Sequence, residues 1–319
     1  MEKGLTKELL ATLSCLKGFG PKSILKIAEG AEGIETPKDL YKYMSTLSDK
    51  KIQNVTLQDI LGGYEEVLYL LEKSEDEGIS LMGYYDAEFP RILHDCIDEN
   101  GKITPPLLLY YRGNLELLKL PGLAIIGTRE PTDNGILAGR FFSENLAKRG
   151  FNIISGLAIG CDTSAHEGAL LAGGATTAFL AHGLNWDSIY PRENLELAER
   201  IVESGGLLLS EYSIGEKVNR YNLVARDRLQ AGLAKGTIVI QTGERGGTMH
   251  AVNATIKAEK PLYAVEYSKA EDLVHEKTQG NLMLIKTEKA APINSKNIDS
   301  VVNELLKVPL EKYEQQRLF

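Results

Sequence analysis

The sequence predicts an α/β fold, a doubly wound, parallel, Rossmann-like sheet preceded by a small all-helical domain. Three observations carry that reading. Short continuous apolar runs occur at 123–126, 151–154, 176–180, 206–209, 237–240 and 262–265. Helical stretches ending in glycine separate them, and before Gly122 the pattern is different, with apolar residues at helical spacing. Strands that are apolar on both faces and separated by helices imply a parallel sheet covered on both sides.

Taken in chain order, residues 5–43 read as helix, hairpin, helix. Lys17-Gly18-Phe19-Gly20-Pro21 forces the tight turn between them. Leu61-Gly62-Gly63 reads as a second turn and 64–75 as a further amphipathic helix, so residues 1–75 form a helical module. A connecting segment, 76–121, follows; Pro90, Pro105 and Pro106 break any long element in it, and 107–111 suits a short strand. The sheet domain occupies 122–290. Residues 291–319 read as a C-terminal tail, with one short helix at 298–306.

Composition narrows the function classes. The 319 residues are 43% hydrophobic and 25% charged, which suits a folded globular chain. With 36 Lys plus Arg against 44 Asp plus Glu the formal charge is -8, so no global positive field draws polyanions and any nucleic-acid binding is local. No apolar run approaches the roughly 18 residues of a membrane span, and the N-terminus alternates charges, which predicts a cytoplasmic protein without membrane contact. Cys15, Cys96 and Cys161 are widely spaced without a C-x-x-C pair, so neither disulfides nor a zinc site is expected.

Ligands of such sheets bind beyond the carboxyl ends of the strands. The residues there are Gly127-Thr128-Arg129, Ser155-Gly156-Leu157-Ala158-Ile159-Gly160, His182-Gly183, Ser210-Glu211-Tyr212 and the segment 242–248, which ends in Thr248. Small residues let backbone N–H groups approach a ligand and the following helix N-termini favour an anion, so the set suits a phosphate pocket; ordinary tight turns between strand and helix would read the same way. The first turn lacks G-x-G-x-x-G, and the second run leads into Ser155 where a dinucleotide site needs an acid. A G-x-x-x-x-G-K-[ST] loop is absent as well, so no nucleotide cofactor is expected. Asp162 and His166, four apart on one helix face, with Glu211, are the candidates for acid/base chemistry. A capping aspartate and a hydrogen-bonded buried histidine explain the pair as well. Arg192, at the start of a predicted helix, opposes the helix dipole and is read as a ligand contact. Arg226 and Arg228 lie on roughly opposite helix faces, so at most one of them faces the pocket and the other pairs with Asp227 or Glu244.

An ordered set of motifs then resembles the DNA-processing protein A (DprA/Smf) family. It comprises Ala124-Ile125-Ile126-Gly127-Thr128-Arg129, the stretch from Ser155 to His166, Gly183-Leu184-Asn185, Tyr190-Pro191-Arg192-Glu193-Asn194, Leu208-Leu209-Ser210-Glu211 and Arg226-Asp227-Arg228-Leu229-Gln230-Ala231-Gly232-Leu233. The Gly18-Phe19-Gly20 hairpin is similar to the family's leading helix-hairpin-helix module. The resemblance implies a non-catalytic cytoplasmic homodimer that binds single-stranded DNA and helps load a RecA-type recombinase during DNA uptake (natural transformation) and recombination. By position, it implies phosphate contacts from Arg129 and Arg192, a pocket lined by Ser155 and Gly156, and support from Arg226 and Arg228. The chain departs from the family pattern where Asp227 replaces Asn, Gln241 replaces Glu, Gly246-Gly247-Thr248-Met249-His250 replaces Ser-Gly-Ser-Leu-Ile and Glu266-Tyr267 replaces Pro-Gly. The alternative is a nucleotide-metabolite sensor or a nucleoside-monophosphate phosphoribohydrolase of similar fold, but the glutamate of the hydrolase Gly-Gly-x-Gly-Thr-x-x-Glu pattern is missing after Thr248.

Overall fold

The computed structural model of the chain describes residues 4–307. Five helices come first: α1 (Lys7–Cys15), α2 (Pro21–Ala28), α3 (Pro37–Ser45), α4 (Lys50–Gln53) and α5 (Leu57–Asp76). Their apolar stripes converge on a core of their own, with Leu9, Leu10, Leu13, Ile24, Leu40, Met44 and Ile60 buried together. Helix α5 corrects the sequence reading, because it runs unbroken through Gly62-Gly63. A capping box starts it early: the Thr56 hydroxyl accepts from the Asp59 N–H, and the Asp59 carboxylate accepts from the Thr56 N–H at 2.8 Å. The bare Cα of Gly63 then packs beside Thr12 of α1 instead of turning the chain.

Two strands follow, β1 (Ser80–Gly83) and β2 (Leu108–Gly113), the second close to the predicted one and the first unforeseen. Seven more alternate with helices: β3 (Gly122–Ile126), α6 (Asp133–Ala147), β4 (Asn152–Ser155), α7 (Cys161–Leu171), β5 (Thr176–Leu180), α8 (Leu195–Glu203), β6 (Leu207–Ser210), α9 (Arg220–Leu233), β7 (Thr237–Val239), α10 (Thr248–Lys257), β8 (Leu262–Val265), α11 (Ala270–Val274), α12 (Gln279–Lys286), β9 (Ala291–Ile293) and α13 (Ile298–Lys307). The nine-stranded sheet has the order β1-β2-β6-β5-β4-β3-β7-β8-β9. Strand β2 is antiparallel to both β1 and β6, and all the other neighbours are parallel.

Alternation along β3 explains the layering. Leu123 and Ile125 face a core shared with Phe142 and Leu146 of α6, Ala165 and Ala169 of α7, and Val301, Val302 and Leu305 of α13. Ala124 faces the opposite side, with Leu229 and Leu233 of α9, and Ile126 packs with Val252 of α10 and Leu284 of α12. The segment expected as a tail therefore belongs in part to the core. Strand β9 pairs with β8 and α13 buries its apolar stripe, while residues 308–319 lie outside the described residues.

Two features place the site. The chain winds from β3 outward through β4, β5 and β6, then returns to the other flank of β3 with β7. That reversal splays the loops after β3 and β7 and opens a crevice at the carboxyl end of the sheet. Helix α9, which crosses this end, is anchored at its C-terminus by Lys260, whose Nζ donates to the carbonyls of Ala231 (2.9 Å), Gly232 (2.5 Å) and Ala234 (2.8 Å).

Candidate nucleic-acid interface

A cavity of about 1100 Å³ occupies that crevice. Its walls are Gly127, Thr128, Arg129 and Glu130 after β3, Ala158 and Asp162 at the start of α7, one side of α9, the loop 242–247 leading into α10, and Lys277. Close packing of loops makes glycine necessary here. At Gly127 a side chain would strike Cys161 Sγ and the Gln241 carbonyl, and at Gly156 it would strike the Arg226 guanidinium. The first turn of α10 opens on the cavity through Gly246, Gly247 and Thr248 without a side-chain cap; the Met249 and His250 N–H groups bond back to the carbonyls of Gly246 and Gly247, so what the turn offers the space is the positive end of the helix dipole.

Charge is distributed unevenly around this wall. Arg129, Arg220 and Arg245 are exposed at the rim and form no ion pair among the described residues. Lys277 is different, held by Glu130 at 3.0 Å and Glu276 at 3.3 Å. At the floor, Arg226 is 5% exposed. Its Nη1 donates to the carbonyls of Phe179 (2.5 Å) and Gly156 (2.7 Å), and its Nε donates to Asp227 Oδ1 at 3.2 Å. Gln230 completes the cluster: with its side-chain amide oriented so that oxygen, and not nitrogen, faces the two donors, it accepts from the Gly156 N–H at 2.9 Å and from Arg226 Nη1 at 3.1 Å. Burial pushes the Asp227 carboxyl up to about 6 although Arg226 pulls it down; neighbouring Asp162 adds to the rise and His250 opposes it.

The sequence candidates separate into two groups. Gly127, Thr128, Arg129, Arg226 and Thr248 line the main cavity. Gly156 lines a shallow extension with Arg129, Ile159, Tyr190 and Pro191. Ser155 does not reach either space: it is fully buried and its hydroxyl donates to the Ile125 carbonyl at 2.7 Å. Arg192 lies beyond the extension, exposed, with Nη1 donating to the Trp186 carbonyl at 2.7 Å. Arg228 turns away from the cavity and grips Glu211 through two bonds of 2.8 and 2.7 Å, while its Nε donates to the Thr104 carbonyl. Its partner is therefore neither of the two carboxylates expected; Asp227 is taken by Arg226.

Asp162 and His166 do not form a dyad. Asp162 Oδ2 accepts from the N–H groups of Gly156 (3.1 Å) and Ala158 (3.3 Å), which ties down the loop after β4. Burial raises its carboxyl, and Arg226 with these two amides acts in the opposite sense. His166 is fully buried, with Nδ1 2.7 Å from Thr176 Oγ1, and burial pulls its imidazole down to about 3, so it stays neutral at pH 7. Asp162→Ala should therefore lower the melting temperature by several degrees, because the partly buried Ala158 N–H loses its acceptor and the buried Gly156 N–H is left with Gln230 alone, a loss that thermal unfolding measures directly.

Residue reasoning held Arg245 only as part of the segment 242–248, and missed Arg220, Lys277 and the pair formed by His250 at the wall with Glu99, whose Nδ1 and Oε2 lie 2.5 Å apart. Arg220 carried one signal: Asn219 just before it is a helix cap, its side chain accepting from the N–H groups of Tyr221 and Asn222, which puts Arg220 at the first position of α9. Among the described residues no His/Cys/Asp/Glu group is arranged to hold a metal, and no helix is long and apolar enough to cross a membrane.

Comparison with known proteins gives a consistent picture. The profile of the family described as DNA recombination-mediator protein A matches residues 80–306. The DNA processing protein DprA of Streptococcus pneumoniae is 36% identical over 252 residues, 78% of this chain and 83% of that protein. Protein Smf of Synechocystis is 34% identical over 242 residues, and protein Smf of Escherichia coli 34% over 181; this chain spans only 58% and 48% of their lengths. The X-ray structure of the pneumococcal protein superposes with a TM-score of 0.71 at 26% identity, covering 92% of this chain and 95% of that one. A Helicobacter pylori DNA processing protein A, described for its single-stranded DNA binding mode, superposes with a TM-score of 0.59 at 30% identity over 72% of this chain and 96% of its own. From the profile match, the identities and the shared fold together, the chain belongs to the DNA recombination-mediator protein A family.

Proposed function

We propose that this protein binds single-stranded DNA across the β3/β7 crevice, without catalysing a reaction on it, and that as a cytoplasmic homodimer it delivers the strand to a RecA-type recombinase. The observation that carries the binding reading is the trio Arg129, Arg220 and Arg245. Exposed guanidiniums without ion-pair partners among the described residues, lining one cavity with a helix N-terminus that has no side-chain cap, supply bidentate donors for phosphates on a chain whose net charge is -8. The shallow extension supports a track leading away from the cavity, since Tyr190, 45% exposed, stands beside Arg129 and offers a ring on which a base can stack. The Helicobacter relative supports the same ligand class. Recombinase delivery and dimerisation rest on the family resemblance.

Titration with oligo-dT of increasing length, at two salt concentrations, tests the reading. A strand that engages several phosphates gives an affinity that rises steeply with length and falls steeply with salt, while a pocket for one nucleotide shows neither. Arg129→Ala is expected to weaken binding about tenfold, the largest loss for a rim arginine, because it serves both the cavity and its extension. Arg192→Glu should flatten the length dependence. If a mononucleotide competes as well as a long oligomer on a molar basis, the single-strand reading fails and a nucleotide sensor takes its place.

A further inference from the structure

The acid at the floor of the cavity has no use in binding phosphate. Asp227 sits beside the guanidinium of Arg226, and its carboxylate repels any phosphate that enters as far as the floor. Only Oδ1 is engaged, by Arg226 Nε. Oδ2 accepts no hydrogen bond among the described residues, although Asp227 forms part of the cavity wall. A half-satisfied carboxylate held in place by a buried arginine is a fixed acceptor waiting for a donor. The phosphate-binding groups of the site are elsewhere, the rim arginines and the positive end of the α10 dipole, and a nucleotide held there with its base turned inward would bring the base edge to the floor.

We infer that Asp227 reads the base, selecting guanine for the nucleotide that occupies the cavity. This rests on the single-strand reading above and sharpens it. DNA lacks the ribose 2′-hydroxyl, so the donors it can bring to a carboxylate are those on base edges. Guanine presents two adjacent donors, N1–H and N2–H, which match a carboxylate as an arginine fork does. Its neighbouring O6 accepts, and Arg226 stands beside Asp227 to supply the donor. Cytosine and adenine each offer a single amino group. Thymine offers one imino N–H flanked by two carbonyl oxygens that face the carboxylate unfavourably. The order that follows is guanine first, adenine and cytosine next, thymine last. The size of the cavity, about 1100 Å³, admits a whole nucleotide, so the larger purine is not excluded.

The test compares oligo-dT of about twelve nucleotides with the same oligomer carrying one central dG, dA or dC, all bound to the full-length protein at one salt concentration and pH 7.5. A single dG is expected to tighten binding about tenfold over the all-thymine strand. Asp227→Asn should bind oligo-dT as well as or better than the parent, because a negative charge has left the cavity, and the preference for dG should shrink to less than twofold. A parent protein that binds oligo-dT but shows no preference for dG overturns the inference and leaves the single-strand reading standing. A preference that survives in Asp227→Asn overturns it too. Failure of every oligomer to bind the parent sinks the single-strand reading itself.

Discussion

Replacement of Arg226 by alanine is expected to cost about 3–5 kcal/mol of folding stability, the largest loss for any cavity residue. Arg226 is the positive member of a buried group that also contains Asp162 and Asp227, and its guanidinium lowers both carboxyls. Removing it leaves two carboxylates in a low-dielectric site without their counter-charge. It also strands the carbonyls of Gly156 and Phe179, each of which accepts from Nη1. Both effects add to the lost packing of a side chain 5% exposed. Urea unfolding measures the outcome, and its pH dependence tests the cause. Because the two carboxylates can take up protons in acid, the deficit should be smaller at pH 5 than at pH 8. A loss below about 1 kcal/mol at pH 8 would show that the carboxylates do not depend on Arg226.

Asp227→Asn is expected to act in the opposite direction and stabilise the protein. The carboxyl is held at about 6 in the folded chain against the 3.8 of a free side chain. The folded state therefore retains a proton that the unfolded state gives up between those values. Below pH 4 both states are protonated and the residue is harmless; above pH 6 both are ionised and the burial of the charge is felt in full. A gap of about two pH units corresponds to about 3 kcal/mol. Asparagine keeps an oxygen that can accept from Arg226 Nε and never ionises, so the variant should unfold later than the parent at pH 7.5, with the difference closing as the pH falls from 6 to 4. Chemical unfolding at a series of pH values checks this; a difference that stays constant with pH would mean that Asp227 does not titrate in this window. Retention of a residue that weakens the fold at neutral pH is expected where the residue serves the ligand.

The strands were legible because burial on both faces writes them as continuous apolar runs, and the position of the crevice followed from the residues just after those runs. What escaped was set by packing at a distance. Gly62-Gly63 has the composition of a turn, but the capping box at Thr56 and the approach of α1 keep the helix going. Strands β1 and β9 are only four and three residues long and owe their existence to the neighbours they pair with. At the site, helical spacing correctly separated Arg226 from Arg228, but it cannot say which carboxylate each will meet. Glu211 lies 17 residues before Arg228 in the chain and is brought to it by the end of β6. Arg245 was placed at the strand ends only through its segment, 242–248, and Lys277, in a short turn beyond β8, had no periodicity to place it; the return of the chain past β3 brings both to the same wall as Arg129.

The place of β3 and β7 in the middle of the sheet has a consequence for the time scale on which the crevice can change shape. Each is flanked by a parallel neighbour on both sides, and Ala124, Ile125, Ile238 and Val239 are completely shielded from solvent. Their amides can exchange with deuterium only when the sheet itself comes apart, so they should be among the last in the chain to do so. The loop 242–247, exposed over most of its length, should exchange early. A rigid base with a pliant rim lets an arriving strand reshape the side of the crevice that carries Arg245 while Arg226 keeps its place above the strand ends. The entropy lost on binding is then confined to the few residues that were mobile before the ligand arrived.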